Sequence, residues 1–149
     1  MRPAIDFFKR TPILAMSAQT PPRPLDGLTI LVIDDDRDTV DVFREYLSSV
    51  GATVVGADSA KAGLTFAETH VLDAVLVDLR MPGEDGAWFL RHLRASRMPG
   101  AATVPVFALS GERHDTPEIP DSGFAAYFLK PIDLGTLLAT LVALPRRPR

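Results

Sequence analysis

The chain has 149 residues, 46% hydrophobic and 23% charged, which suits one globular domain with a real apolar core. A formal net charge of -3 supplies no basic excess for neutralising nucleic-acid phosphates, so no direct nucleic-acid partner is expected. Cysteine is absent, which removes disulfides, thiol catalysis and Cys-based zinc sites, and no apolar run approaches the roughly 20 residues that span a bilayer.

Residues 1–27 hold Pro3, Pro12, Pro21, Pro22 and Pro24 without sustained periodicity, and read as a Pro-containing, flexible extension. Its run Ile13–Met16 is too short for a secretory signal, so the expected compartment is the cytoplasm; Met16 is an alternative start. Thr29–Ile33 is a continuous apolar run of strand length. Val40, Phe43, Leu47 and Val50 then recur at helical spacing until Gly51 stops them. Thr53–Ala57 reads as a second strand, residues 59–69 as an Ala-rich helix, and Ala74–Leu79 as a third buried strand. Asp85–Arg97 reads as a helix with Trp88, Leu90 and Leu93 among its core positions; Val104–Leu109 and Ala125–Leu129 read as strands. Asp133 caps a last helix with Leu134, Leu137, Leu138, Leu141 and Val142 as apolar members. Strands alternating with helices predict an α/β domain over residues 28–144, its parallel sheet covered on both faces, followed by a basic tail at 145–149.

In such sheets ligands sit beyond the carboxyl ends of the strands. Those ends carry Asp34-Asp35-Asp36, Asp78, Ser110-Gly111 and Lys130-Pro131. Any one of them is an ordinary helix cap or a solvated end, but four converging on one edge indicate a site. Crowded carboxylates repel unless a cation joins them, and Mg2+ is the hard cation that suits carboxylates, a carbonyl and water. Phosphoryl transfer asks for a positioned nucleophile and cationic stabilisation of phosphoryl oxygens. Asp78, on the central strand, is the natural nucleophile, with Lys130 and the Ser110 hydroxyl as oxygen-binding groups.

The strings Ile30-Leu-Val-Ile-Asp34-Asp35-Asp36, Asp78-Leu-Arg-Met81-Pro82-Gly83-Glu-Asp85-Gly86, Ser110-Gly111 and Tyr127-Phe-Leu-Lys130-Pro131 resemble a bacterial response-regulator receiver domain over about residues 28–144. The resemblance implies a flavodoxin-like, doubly wound five-stranded sheet of order 2-1-3-4-5. It implies that Asp78 accepts a phosphoryl group from a phosphohistidine of a histidine kinase or histidine phosphotransfer protein. It further implies Mg2+ held by Asp35, Asp78 and the backbone carbonyl of Arg80, with Asp34 acting through metal-bound water. Lys130 and Ser110 would contact phosphoryl oxygens, Tyr127 would be the aromatic switch partner of Ser110, and Lys130–Pro131 would often be cis. Such a domain has only self-directed phosphotransfer and autodephosphorylation, and signals by protein contacts to a downstream target that the sequence does not name.

Two features depart from the family. Between Ser110 and Lys130, where receivers place a helix, Pro117, Pro120 and Gly123 leave room for about one turn, so a shortened or missing fourth helix is expected and His114 reads as a loop residue. Arg80 and Glu112, two positions after Asp78 and Ser110, are candidates for tuning the phosphoryl lifetime through an ion pair. Two other readings compete. Asp36-x-Asp38-x-Val40 has the form of haloacid-dehalogenase-type phosphatases, with Asp36 as nucleophile. A phosphorylation-independent docking module on a receiver fold is the second.

Overall fold

Each short apolar run becomes a strand whose side chains feed both faces of one sheet. The computed structural model describes residues 21–111 and 122–146. The elements are β1 (Thr29–Ile33), α1 (Arg37–Ser49), β2 (Thr53–Ala57), α2 (Ala60–Ala67), β3 (Ala74–Asp78), α3 (Gly86–Arg94), β4 (Val106–Ser110), β5 (Ala126–Leu129) and α4 (Leu134–Val142). All strand pairs are parallel, in the order β2-β1-β3-β4-β5, which is the flavodoxin-like arrangement. β3 is central, and all five of its residues are buried.

Period-two alternation divides the core into two layers. Leu31, Ile33, Val75, Val77, Val106 and Ala108 pack with Ala60, Phe89, Leu90 and Leu93 from α2 and α3. On the other face Ile30, Val32, Leu76, Phe107 and Leu109 meet Val40, Phe43 and Leu47 of α1 and Leu137 and Leu141 of α4. Every described helix starts on a polar cap: Asp36, Ser59, Asp85 and Asp133 each accept a backbone N–H of the first turn.

The differences from the sequence reading have local causes. β4 starts at Val106 instead of Val104 because Pro105 has no N–H to give a ladder, although its carbonyl accepts from Val75 N at 3.0 Å. α3 ends at Arg94, where Ala95 caps it and the Ser96 hydroxyl takes the Met98 N–H in a tight turn. Its buried stripe is Gly86, Phe89, Leu90 and Leu93; Phe89 is fully buried, and Trp88, read as core, is only partly so. Leu25, assigned from sequence to the leader, is fully buried beside Leu28 in the α1/α4 layer. The expected shortened fourth helix, with Glu112, His114, Pro117 and Pro120, lies outside the described residues, as do residues 1–20 and 147–149. Among the described residues no helix is long and apolar enough to cross a membrane.

Candidate functional site

The carboxyl edge of the sheet gathers groups from four strands. β1 delivers Asp34, which is fully buried; Asp78 is the last residue of β3 and 7% exposed; Ser110 is the last residue of β4 and 2% exposed. Lys130 follows β5 through a short ladder, its N–H donating to Ser110 O at 2.7 Å. The Lys130 ammonium crosses the edge to donate to Asp34 Oδ2 at 2.9 Å and Asp78 Oδ2 at 3.3 Å. The peptide bond between Lys130 and Pro131 is cis.

Asp34, Asp35 and Asp78 each offer an oxygen, and these atoms lie within 4.8 Å of one another. Burial and the neighbouring Asp34 charge push the Asp78 carboxyl above the usual carboxylate range, against the pull of Lys130 and of the Arg80 N–H. For Lys130, burial opposes the charge, but the Asp34 hydrogen bond and the charges of Asp34 and Asp78 outweigh it and hold the ammonium above its ordinary value. Three carboxylates against one ammonium leave two negative charges uncompensated, so the donor set fits a divalent hard cation. It offers oxygens only, which is the chemistry Mg2+ prefers.

The remaining predicted residues are placed as follows. The Arg80 N–H donates to Asp78 Oδ1 at 3.2 Å, which fixes the second acceptor oxygen. Tyr127 lies beside Ala108 in the β4–β5 register and packs edge-on against Phe124 at 5.5 Å. Among the described residues its buried hydroxyl has no hydrogen-bond partner. Asp36, nucleophile of the phosphatase reading, is instead engaged as the α1 cap: its carboxylate accepts from Asp38 N and Thr39 Oγ1. It is exposed and stands outside the carboxylate trio. Glu112 lies outside the described residues, so its pairing with Arg80 has no geometry here.

The sequence reading quoted Gly86 at the end of the Asp78 string without assigning it a role. A methyl group there would lie 2.7 Å from the Asp78 carbonyl oxygen, so the first turn of α3 presses directly on the backbone of the candidate nucleophile. The signal was present as a glycine immediately after the Asp85 cap, a place where helices tolerate but do not require it.

A family model described as the response regulator receiver domain matches residues 30–142. The virulence sensor protein BvgS of Bordetella bronchiseptica is 31% identical over 93% of this chain; the chain spans only 12% of that relative's length. A response regulator receiver protein from Pseudomonas putida superposes with a TM-score of 0.69 at 31% identity, over 77% of this chain and 94% of that one. The receiver domain of the sensor histidine kinase PA1611 from Pseudomonas aeruginosa, which has a magnesium ion coordinated in its active-site cleft, superposes at 0.68. Its identity is 27%, covering 78% of this chain and 98% of that domain.

Proposed function

This chain belongs to the response-regulator receiver family, and we propose on that premise that it accepts a phosphoryl group on Asp78 from a phosphohistidine, in a Mg2+-dependent reaction. The observation that carries the reading is the Lys130 ammonium hydrogen-bonded to both Asp34 and Asp78 in a pocket of three convergent carboxylates. An Asp78 oxygen attacks phosphorus, the O–P bond forms, the P–N bond breaks, and the electron pair leaves on the imidazole nitrogen, which takes up a proton. Asp34, Asp35, Asp78 and the Arg80 carbonyl would hold the cation. When bound it would supply positive charge to the phosphoryl oxygens as they shift in the transition state.

The chain's own residues do the rest. Lys130 already lies within reach of an Asp78 oxygen, and so is placed for a phosphoryl oxygen attached there. Ser110, buried at the end of β4, supplies a hydroxyl beside it, and Tyr127 on the adjoining strand follows Ser110 when it moves. Arg80 flanks the acceptor through its N–H and, with Glu112, tunes how readily water reaches the acyl phosphate. The donor is a histidine kinase or phosphotransfer protein, the downstream partner is another protein, and the setting is the cytoplasm.

Incubation with acetyl phosphate and Mg2+, followed by intact mass and peptide mapping, tests the reading. One phosphoryl group on Asp78, absent from Asp78→Asn and lost with chelator, is the expected result. Label on Asp36 would transfer the assignment to the phosphatase reading, and no added mass would favour a docking module.

A further inference from the structure

β2 is the outermost strand on one side of the sheet, paired only with β1 among the described residues. Thr53 N donates to Leu28 O at 2.8 Å, and Ala57 O accepts from Asp34 N at 3.1 Å, so Thr53, Val55 and Ala57 turn their backbone groups toward β1. Backbone direction alternates along a strand, which turns the N–H and C=O of Val54 and Gly56 outward. Such an edge is a template for another strand, and proteins blunt it with a charge, a proline or a bulge. Thr53–Ala57 carries no charge and no proline, and its register with β1 is unbroken over all five residues. The space beside it suits an added strand. A cleft of about 550 Å3 is lined by Val40 and Arg44 of α1 on one face of the sheet, by Val55 and Ala57 of β2, and by Ala62 and Phe66 of α2 on the other face. It can therefore take side chains on both faces of the edge, as the alternating side chains of a strand require. Its rim balances: Arg37 stands 3.9 Å from Asp58 and Arg44 3.9 Å from Asp41, so an uncharged strand fits.

We propose that the outer edge of β2 binds an extended, uncharged peptide segment of a partner protein. The segment adds to the sheet with its backbone on Val54 and Gly56 and sets alternate apolar side chains against Val40 on one face and Phe66 on the other. Steric space decides against a second copy of this chain as the occupant. α1 lies directly over β2: a methyl group at Gly56 would meet Val40 Cγ1 at 2.5 Å and Arg44 Nη2 at 2.6 Å. A second copy brought edge to edge would set its own β2 about 4.8 Å away, and a helix lying over that strand would fall inside the roughly 8–10 Å at which helices pack. A bare extended segment brings no helix with it. The pairing is independent of phosphoryl acceptance on Asp78.

Selection of a displayed random-peptide library on the full chain, followed by amide exchange of the chain with a selected peptide bound, tests it. Selected sequences should alternate apolar and polar residues without net charge. At saturation the Val54 and Gly56 amides should exchange at least about tenfold more slowly, while those of Val55 and Ala57, already in the ladder, stay as they were. N-methylation of the peptide amides that face β2, which leaves the protein unaltered, should weaken binding at least about tenfold. Val54 and Gly56 amides as protected as Val55 in the free chain would overturn the proposal, because the edge would already be covered. So would the absence of any enriched peptide, or a peptide that binds as a helix or tolerates the N-methyl groups. A dimer of the chain protected at Val54 and Gly56 would overturn it as well and assign the edge to a second copy.

Discussion

Gly86→Ala is the sharpest test of how the fold holds the acceptor. In an exposed helix the substitution is favourable by about 1 kcal/mol, because alanine is the better helix former. Here the added methyl would sit 2.7 Å from the Asp78 carbonyl oxygen, 3.2 Å from Leu79 Cα and 3.3 Å from the Asp78 carbonyl carbon. None of these atoms is the end of a pliable side chain. Asp78 is in register with Leu109 on β4, and Leu79 donates to Leu109 O at 2.9 Å and accepts from Gly86 N at 3.3 Å. Overpacking of this kind costs about 1–3 kcal/mol, so the net loss after the propensity gain is up to about 2 kcal/mol. For a domain of this size that lowers Tm by up to about 8 °C. Gly135, also in the first turn of its helix, is the control: it is exposed, and a methyl there meets only Asp133 Oδ1 at 3.4 Å. Gly135→Ala should hold or raise stability by up to about 1 kcal/mol. Urea and thermal unfolding read both variants, and the rate of phosphorylation by acetyl phosphate reads the displaced acceptor, which should be slower in Gly86→Ala alone. Gly86→Ala melting at or above wild type, with an unchanged rate, would refute the reasoning.

Strand positions and strand-end chemistry were legible because they depend on local pattern. A parallel strand reads as a short, mostly apolar run, so Thr29–Ile33 and Thr53–Ala57 could be bounded to the residue, and Asp34, Asp78, Ser110 and Lys130 follow as the polar residues that end such runs. Contacts between residues distant in sequence were less legible. Leu25 sits among prolines, and nothing local says that α1 and α4 leave a hole for it; Arg146 looks like part of a solvated tail until Pro24 and Asp26 are placed beside it. The same holds for Gly86, whose need for glycine comes from a carbonyl eight positions earlier on another element. Asp36 was ambiguous for the opposite reason. Its sequence context suits both a nucleophile and a cap, and only the hydrogen bonds to Asp38 and Thr39 decide for the cap.

Tyr127→Phe removes a buried hydroxyl that has no partner among the described residues, so it should be as stable as wild type or more stable by about 1 kcal/mol in urea unfolding; a clear loss would mean the hydroxyl is satisfied. Asp133 is held below the usual carboxylate range by the Thr136 hydroxyl and the Thr136 and Gly135 N–H groups. A depressed carboxyl contributes stability that is present above its unfolded value, about 3.9, and is lost as pH falls through the lower folded value. The stability gap between wild type and Asp133→Ala should therefore narrow on acidification; a gap independent of pH would contradict the cap. Asp78→Asn brings the argument back to the site. Without divalent cation the wild type keeps Asp78 buried beside Asp34 with, among the described residues, the one Lys130 ammonium bonded to both, so the neutral variant should melt higher, by on the order of 1 kcal/mol. Added Mg2+ should then stabilise the wild type in proportion to the logarithm of its concentration above Kd and leave Asp78→Asn nearly unmoved, because a ligand that binds only the folded state stabilises by that law. An Asn variant that melts lower in chelator would show that the Lys130–Asp78 attraction exceeds the repulsion from Asp34 and the cost of burial, which is the reverse of the balance read from the buried pair.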